Sequence, residues 1–196
     1  MPEYLTIYNA AGQPVGQAER ADVHARGLWH AVVHCWVVSQ QPDDLWVWFQ
    51  KRAPFKKAYP GYYDIAVGGH ISAGEKPMEA LLRETSEEIG LRLAERDLRF
   101  LGTGKEEEPI VGGSMDRELC HIYLYANPSP AFAPGEEVVE MVRMPMAALL
   151  DMTLHGAPDV TGVTLTGECR TVAASQFCHH GAEFVDCVLP ALGVRP

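Results

Sequence analysis

The chain has 196 residues, 47% of them hydrophobic and 21% charged, which is enough apolar material for one domain with a real core. Its formal net charge of −10 argues against a broad basic face for gripping nucleic-acid backbone. A small phosphorylated ligand stays compatible, because a metal ion and a few local cations can hold one.

The N-terminus carries no basic region followed by an apolar run. No stretch approaches the roughly 18 apolar residues of a membrane helix, so neither a signal peptide nor a membrane span is expected. The five cysteines (Cys35, Cys120, Cys169, Cys178 and Cys187) form no C-x-x-C pair and are odd in number. They read as reduced thiols of a cytoplasmic protein rather than as a disulfide frame or zinc knuckle.

In chain order, residues 4–8 read as a strand, 9–12 as a turn, and Val15 onward as the return strand. Residues 30–39 and 45–52 are rich in β-branched and aromatic side chains and are separated by Gln40-Gln-Pro-Asp-Asp44, which reads as a hairpin. Pro60-Gly61 marks a turn before a strand at about 63–67. Gly68, Gly69 and Gly74 bracket what reads as an irregular loop. Residues 76–89 are the clearest helix, stopped by Gly90. Strands follow near 98–104, 118–125 and 138–144, then a short helix at 145–152. Residues 155–181 are rich in Gly, Thr and Cys and match no regular pattern. A last helix is expected over 184–192. Strands with helices on both sides indicate a layered α/β fold.

The helix at 76–89 carries two faces. Met78, Leu81, Leu82, Thr85 and Ile89 share a stripe that must pack on a sheet. Glu84, Glu87 and Glu88 lie at i, i+3 and i+4 on another face. Like charges at these spacings repel by roughly 0.2–0.5 kcal/mol per pair. Either the face is merely solvated, or it holds a hard cation such as Mg²⁺ or Mn²⁺, which prefers oxygen ligands.

The surrounding string is Gly69-His-Ile-Ser-Ala-Gly-Glu75, seven residues, then Arg83-Glu84-Thr85-Ser86-Glu87-Glu88-Ile89-Gly90-Leu91. It resembles the Nudix box, G-x5-E-x7-R-E-U-x-E-E-x-G-U, with U a bulky apolar residue. Every fixed position matches, and the one departure is Thr85 at a U position. The resemblance implies a Nudix-type α/β/α sandwich with a mixed β-sheet. It would be a single domain over 1–196, with a core at about 28–155, a short N-terminal hairpin and a C-terminal helical extension. It further implies Glu84, Glu87 and Glu88 as metal ligands, one of them the general base, with Arg83 orienting a glutamate and the Gly69 carbonyl completing the metal shell. Glu75 would be structural. The implied activity is Mg²⁺- or Mn²⁺-dependent hydrolysis of a diphosphate linkage in a small organic or nucleoside diphosphate derivative.

A second resemblance covers roughly residues 20–125. Arg20, His24, His30, Arg52, Lys56, Gly69-His70 and Glu118-Leu-Cys-His are similar to isopentenyl-diphosphate isomerase, which shares the fold. In that enzyme three histidines and two acidic residues bind a metal. His24, His30, His70 and Glu118 match four of these, and Asp116 stands at the fifth with aspartate for glutamate. Arg20, Arg52 and Lys56 match basic residues that hold the diphosphate. The isomerase's catalytic cysteine is replaced here by Gly68, which cannot transfer a proton, and the Nudix helix is intact where the isomerase's is degenerate. The reading is therefore an isomerase-like branch that hydrolyses, with isomerisation and a non-catalytic, ligand-sensing Nudix domain as alternatives. The expected partner is a small-molecule diphosphate, not nucleic acid or a membrane, and a homodimer stays open.

Other residues read more plainly. His34 and His121 are expected to be structural, and His179-His180 to be exposed in the tail. Trp29, Trp36, Trp46 and Trp48 are expected to pack in the core. Cys35 and Cys120 should be buried small hydrophobes. Glu106-Glu107-Glu108 reads as a solvated loop.

Overall fold

A computed structural model describes residues 2–40, 44–109 and 115–195. In chain order the elements are β1 (Tyr4–Tyr8), β2 (Pro14–Glu19), α1 (Arg20–Arg26), β3 (Trp29–Gln40), β4 (Leu45–Arg52), β5 (Tyr63–Ile65) and β6 (Val67–His70). Then come α2 (Pro77–Ile89), β7 (Leu98–Pro109), β8 (Met115–Ala126), β9 (Val138–Pro145), α3 (Met146–His155), β10 (Asp159–Thr164) and β11 (Cys169–Ala173). The last helix, α4, joins α-turns Gly181–Glu183 and Leu189–Ala191 through a π-stretch, Phe184–Val188.

Strand β3 is the axis. Its β-branched and aromatic side chains suit a pleat that is covered on both faces. One edge pairs antiparallel in turn with β1, β6 and β4. The other pairs in parallel with β8, from His30 opposite Glu118 to Val38 opposite Ala126. The described strands thus join into one mixed sheet. Because side chains alternate, Val32, Trp36 and Val38 pack on one face against Met146, Leu149, Phe184 and Val188 of α3 and α4. Ala31, Val33, Cys35 and Val37 pack on the other face against Ala80, Leu81 and Ile89 of α2. The architecture is the expected α/β/α sandwich, and Cys35 and Cys120 are buried in it.

Helix α2 ends where expected. Gly90 takes a left-handed backbone, and a Cβ there would lie 2.3 Å from the Ala133 carbonyl oxygen. Thr85 fits its apolar position because its hydroxyl donates to the Leu82 carbonyl at 3.0 Å, so the buried oxygen keeps a partner.

Several segments correct the sequence reading. Residues 68–70 are strand, not irregular loop: neither Gly68 nor Gly69 has a positive φ, and they pair with His34 and Val33. Residues 20–26 form α1, whose seven residues are too few to display a period. The unplaced tail supplies the β10–β11 hairpin, which extends the sheet beyond β9 through Val163 opposite Arg143 and Thr164 opposite Val142. Strand β7 runs on to Pro109, so Glu106–Glu108 are paired with β8 rather than forming a solvated loop.

Candidate active site and metal centre

Strand β6 is the hinge of the site. On one side it meets the Nudix-box carboxylates. A Cβ on Gly69 would fall 2.2 Å from the Glu84 carboxyl carbon, so only glycine lets that carboxylate lie against the strand. Glu88 is buried, and its Oε2 accepts from the Gly68 amide at 3.2 Å and the Gln50 amide at 3.0 Å. Burial pushes its pKa up to about 8. Burial also raises Glu84, although Arg83 Nη1 donates to it at 2.7 Å. Arg83 grips both oxygens of Glu75 at 2.9 Å and the His70 carbonyl at 3.0 Å, which ties α2 to β6. Glu87 faces solvent and, among the described residues, its carboxylate meets only Arg83, at 3.3 Å.

On the other side of β6 the histidines meet. His24 Nε2 lies 3.0 Å from His70 Nε2, and the rings of His30 and His70 stack 5.2 Å apart. One nitrogen from each of His24, His30 and His70 falls within 4.8 Å of the others. His30, Asp116 and Glu118 form an overlapping group. His30 Nδ1 donates to the Leu28 carbonyl at 3.0 Å, which leaves the Nε2 lone pair aimed inward. Among the described residues, His30 Nε2 and Asp116 Oδ1 are buried without a hydrogen-bond partner, 3.8 Å apart. Burial lowers the pKa of His30 and drives that of His70 well down, which favours the neutral ring in both.

Beyond Glu118 lies a network that sequence reasoning missed. His180, expected to be exposed, is held by Asp64 at 2.9 Å and Glu106 at 3.3 Å. Burial opposes its charge, but these two carboxylates hold its pKa well up. Burial likewise opposes ionised Asp64, yet His180 and Arg52, the latter at 2.7 Å, keep it well below the usual carboxylate range. His34, expected to be merely structural, is buried with Nδ1 2.8 Å from Glu183. Burial pulls its pKa down, and Glu183 outweighs this and raises it. The i, i+3 spacing of His180 and Glu183 was the available signal. Beside His180, a pocket of about 200 Å³ is lined by Trp36, Phe49, Tyr63, Phe177 and Phe184. Trp36 and Trp48 are otherwise core residues, while Trp29 and Trp46 are only half-buried.

The three basic residues are engaged differently. Arg20 pairs with Glu3 at an exposed position, and Lys56 pairs with Glu137. Arg52 is committed to Asp64 and the Ala58 carbonyl.

Comparison with known proteins fits this geometry. The NUDIX domain family matches residues 28–179, and the chain belongs to that family. It is 36% identical to an uncharacterised Nudix hydrolase of Clostridium acetobutylicum, over 79% of this chain and 77% of that one. It is 27% identical to the isopentenyl-diphosphate Δ-isomerase of Escherichia coli O127:H6, over 76% of this chain and 80% of the enzyme, so isomerases are among its relatives. In fold it matches a Deinococcus radiodurans crystal structure with a TM-score of 0.59 and 24% identity, covering 79% of this chain and 90% of that one. Among the described residues, no helix is long and apolar enough to cross a membrane.

Proposed function

We propose that the protein is a divalent-metal-dependent pyrophosphohydrolase that cleaves the diphosphate of a small organic or nucleoside derivative. The observation that carries this reading is the meeting at β6 of the Nudix-box carboxylates with the histidine cluster. Two buried, facing atoms without a well-formed hydrogen bond, His30 Nε2 and Asp116 Oδ1, the latter 3.3 Å from His24 Nδ1, suit a cation among the three side chains. Glu84, Glu87, Glu88 and the Gly69 carbonyl would hold Mg²⁺ or Mn²⁺ on one side. His24, His30, His70 and Glu118, with Asp116, would hold a metal on the other. A divalent ion so bound would neutralise diphosphate charge and acidify a water.

The chain's own residues do the rest. Arg83 fixes Glu84 and ties α2 to β6. One of the three glutamates takes the proton of the attacking water. Lys56 and Arg20 exchange Glu137 and Glu3 for phosphate oxygens. Arg52 is less free for this, because its pair with Asp64 is largely buried. The aromatic pocket beside His180 favours a compact apolar group on the substrate. Isomerisation is the weaker reading, since Gly68 offers no acid or base. The test is a panel of diphosphate compounds with Mg²⁺ and with Mn²⁺, reading phosphate release. Release from at least one compound, abolished by chelator, is expected; a folded protein that releases none overturns the proposal.

A further inference from the structure

Glu118 sits between two histidines. Its Oε1 is 3.8 Å from His30 Nε2, and its Oε2 is 3.9 Å from His34 Nε2. Both gaps are longer than a hydrogen bond. Both rings are turned the same way: His30 gives its Nδ1 to the Leu28 carbonyl and His34 pairs its Nδ1 with Glu183, so each points Nε2 at the carboxylate. A metal-binding histidine typically spends its second nitrogen on a carbonyl or carboxylate in this way. Two ligand atoms each about 2.0–2.2 Å from one ion can stand this far apart from each other.

The second gap has further donors. His34, Glu106, Glu118 and Cys120 each offer one atom, all within 4.8 Å of one another. Register places them: Glu106 lies opposite Glu118 across β7 and β8, and Glu118 opposite His30 across β8 and β3. The His34 side chain is only 5% exposed, and its Nε2 makes no hydrogen bond among the described residues. Glu106 is steadied by His180, itself fixed by Asp64. Glu183 is steadied by the Trp36 indole.

We propose that Glu118 bridges two metal ions, one on the His24, His30, His70 and Asp116 side and a second held by His34, Glu106 and Glu118 with Cys120 beside them. Imidazole and carboxylate with a nearby thiol suit Zn²⁺, Fe²⁺, Co²⁺ or Mn²⁺ rather than Mg²⁺. Glu183 and His180 are positioning residues. The second position depends on the proposed first one only through the shared Glu118.

The full chain, stripped and reloaded with Co²⁺, is desalted and its cobalt per chain counted by elemental analysis. His34→Ala and Glu106→Gln should each lose one equivalent relative to the wild type, His70→Ala should lose one, and Glu118→Ala should lose two. Loaded with Mn²⁺, the wild type should give the electron-spin spectrum of an exchange-coupled pair, and His34→Ala that of isolated ions. Circular dichroism confirms that each variant is folded, and the wild-type Mn²⁺ spectrum stands without any variant. If His70→Ala loses an ion while His34→Ala and Glu106→Gln do not, the second position fails and the first stands, leaving His34 as a partner of Glu183 only. If no variant changes the count, both fail. Only isolated ions in saturated wild type would also overturn the bridge.

Discussion

Glu84, Glu87 and Glu88 come from one 13-residue helix, whereas His24, His30, His70, Asp116 and Glu118 come from α1, β3, β6 and β8. The first group shares a face because 3.6 residues make a turn, so its geometry is local. The second exists only because β3 pairs in parallel with β8 and antiparallel with β6, which brings His30 beside Glu118 and Val32 beside His70. The two sides also differ chemically. The helical side is carboxylate throughout, while the strand side is mainly imidazole; each has one buried member, Glu88 and His30, among half-buried or exposed ones. Local geometry therefore makes the glutamate side robust to changes elsewhere, and the histidine side depends on the whole sheet.

Breaking the helical side should give the largest effect. Glu88→Gln keeps the shape and can still meet Gly68 and Gln50, but it removes the carboxylate that a bound metal would hold ionised. Turnover should fall roughly 10³-fold with the thermal transition little changed. Near wild-type rates with both Mg²⁺ and Mn²⁺ would place the chemistry elsewhere.

The buried network beyond the strand side, centred on Asp64 of β5, should fail through folding. Asp64→Ala strands Arg52 and His180 in the interior and should cost about 3–5 kcal/mol, read by denaturant titration. The pH dependence has a definite sign. Asp64 is depressed in the fold, so its stabilisation is present above its unfolded value of about 3.9 and is lost as pH falls. His180 is raised, so its stabilisation is complete below about 6.5 and is lost as pH climbs through its folded value. The wild type should therefore lose stability at both ends, and the variant should show a flatter profile. Equal pH dependence in the two proteins would contradict the assigned pair.

Lys56→Ala should raise the Michaelis constant about tenfold, with turnover changed less, if Lys56 holds the diphosphate in ground and transition state alike. An unchanged constant would leave Lys56 as a partner of Glu137 only. The smallest effect is expected from Gly68→Cys. Among the described residues a Cβ there meets only the His34 ring, at 3.9 Å, so stability should change little. The unmodified protein should show no interconversion of isopentenyl and dimethylallyl diphosphate; robust isomerisation would reverse the preference for hydrolysis.

The helix at 76–89, its Gly90 stop, the β3–β4 hairpin and a layered α/β fold were legible in the sequence, because period, glycine conformation and β-branching act over a few neighbouring residues; the mixed-sheet α/β/α sandwich came from the resemblance to the Nudix box. The resemblance to the box implied Glu84 and the Gly69 carbonyl in one metal shell, and the Glu84 carboxylate does lie against Gly69. Other features were decided only by tertiary structure. Gly68 and Gly69 are poor strand formers, and it is the free edge of β3 that draws them into β6. Residues 159–173 hold strand-forming Val and Thr, but Gly162 and Gly167 interrupt the pattern, and it is the open edge of β9 that fixes them as a hairpin. His180 looked like an exposed tail residue, and it is carried against Asp64 and Glu106 only when α4 packs its Phe184 on Trp36. Burial, and with it the charge state of His70, Glu88 and His180, depends on which distant segments exclude water. A sequence lists the titratable groups, but only the fold sets the dielectric around them.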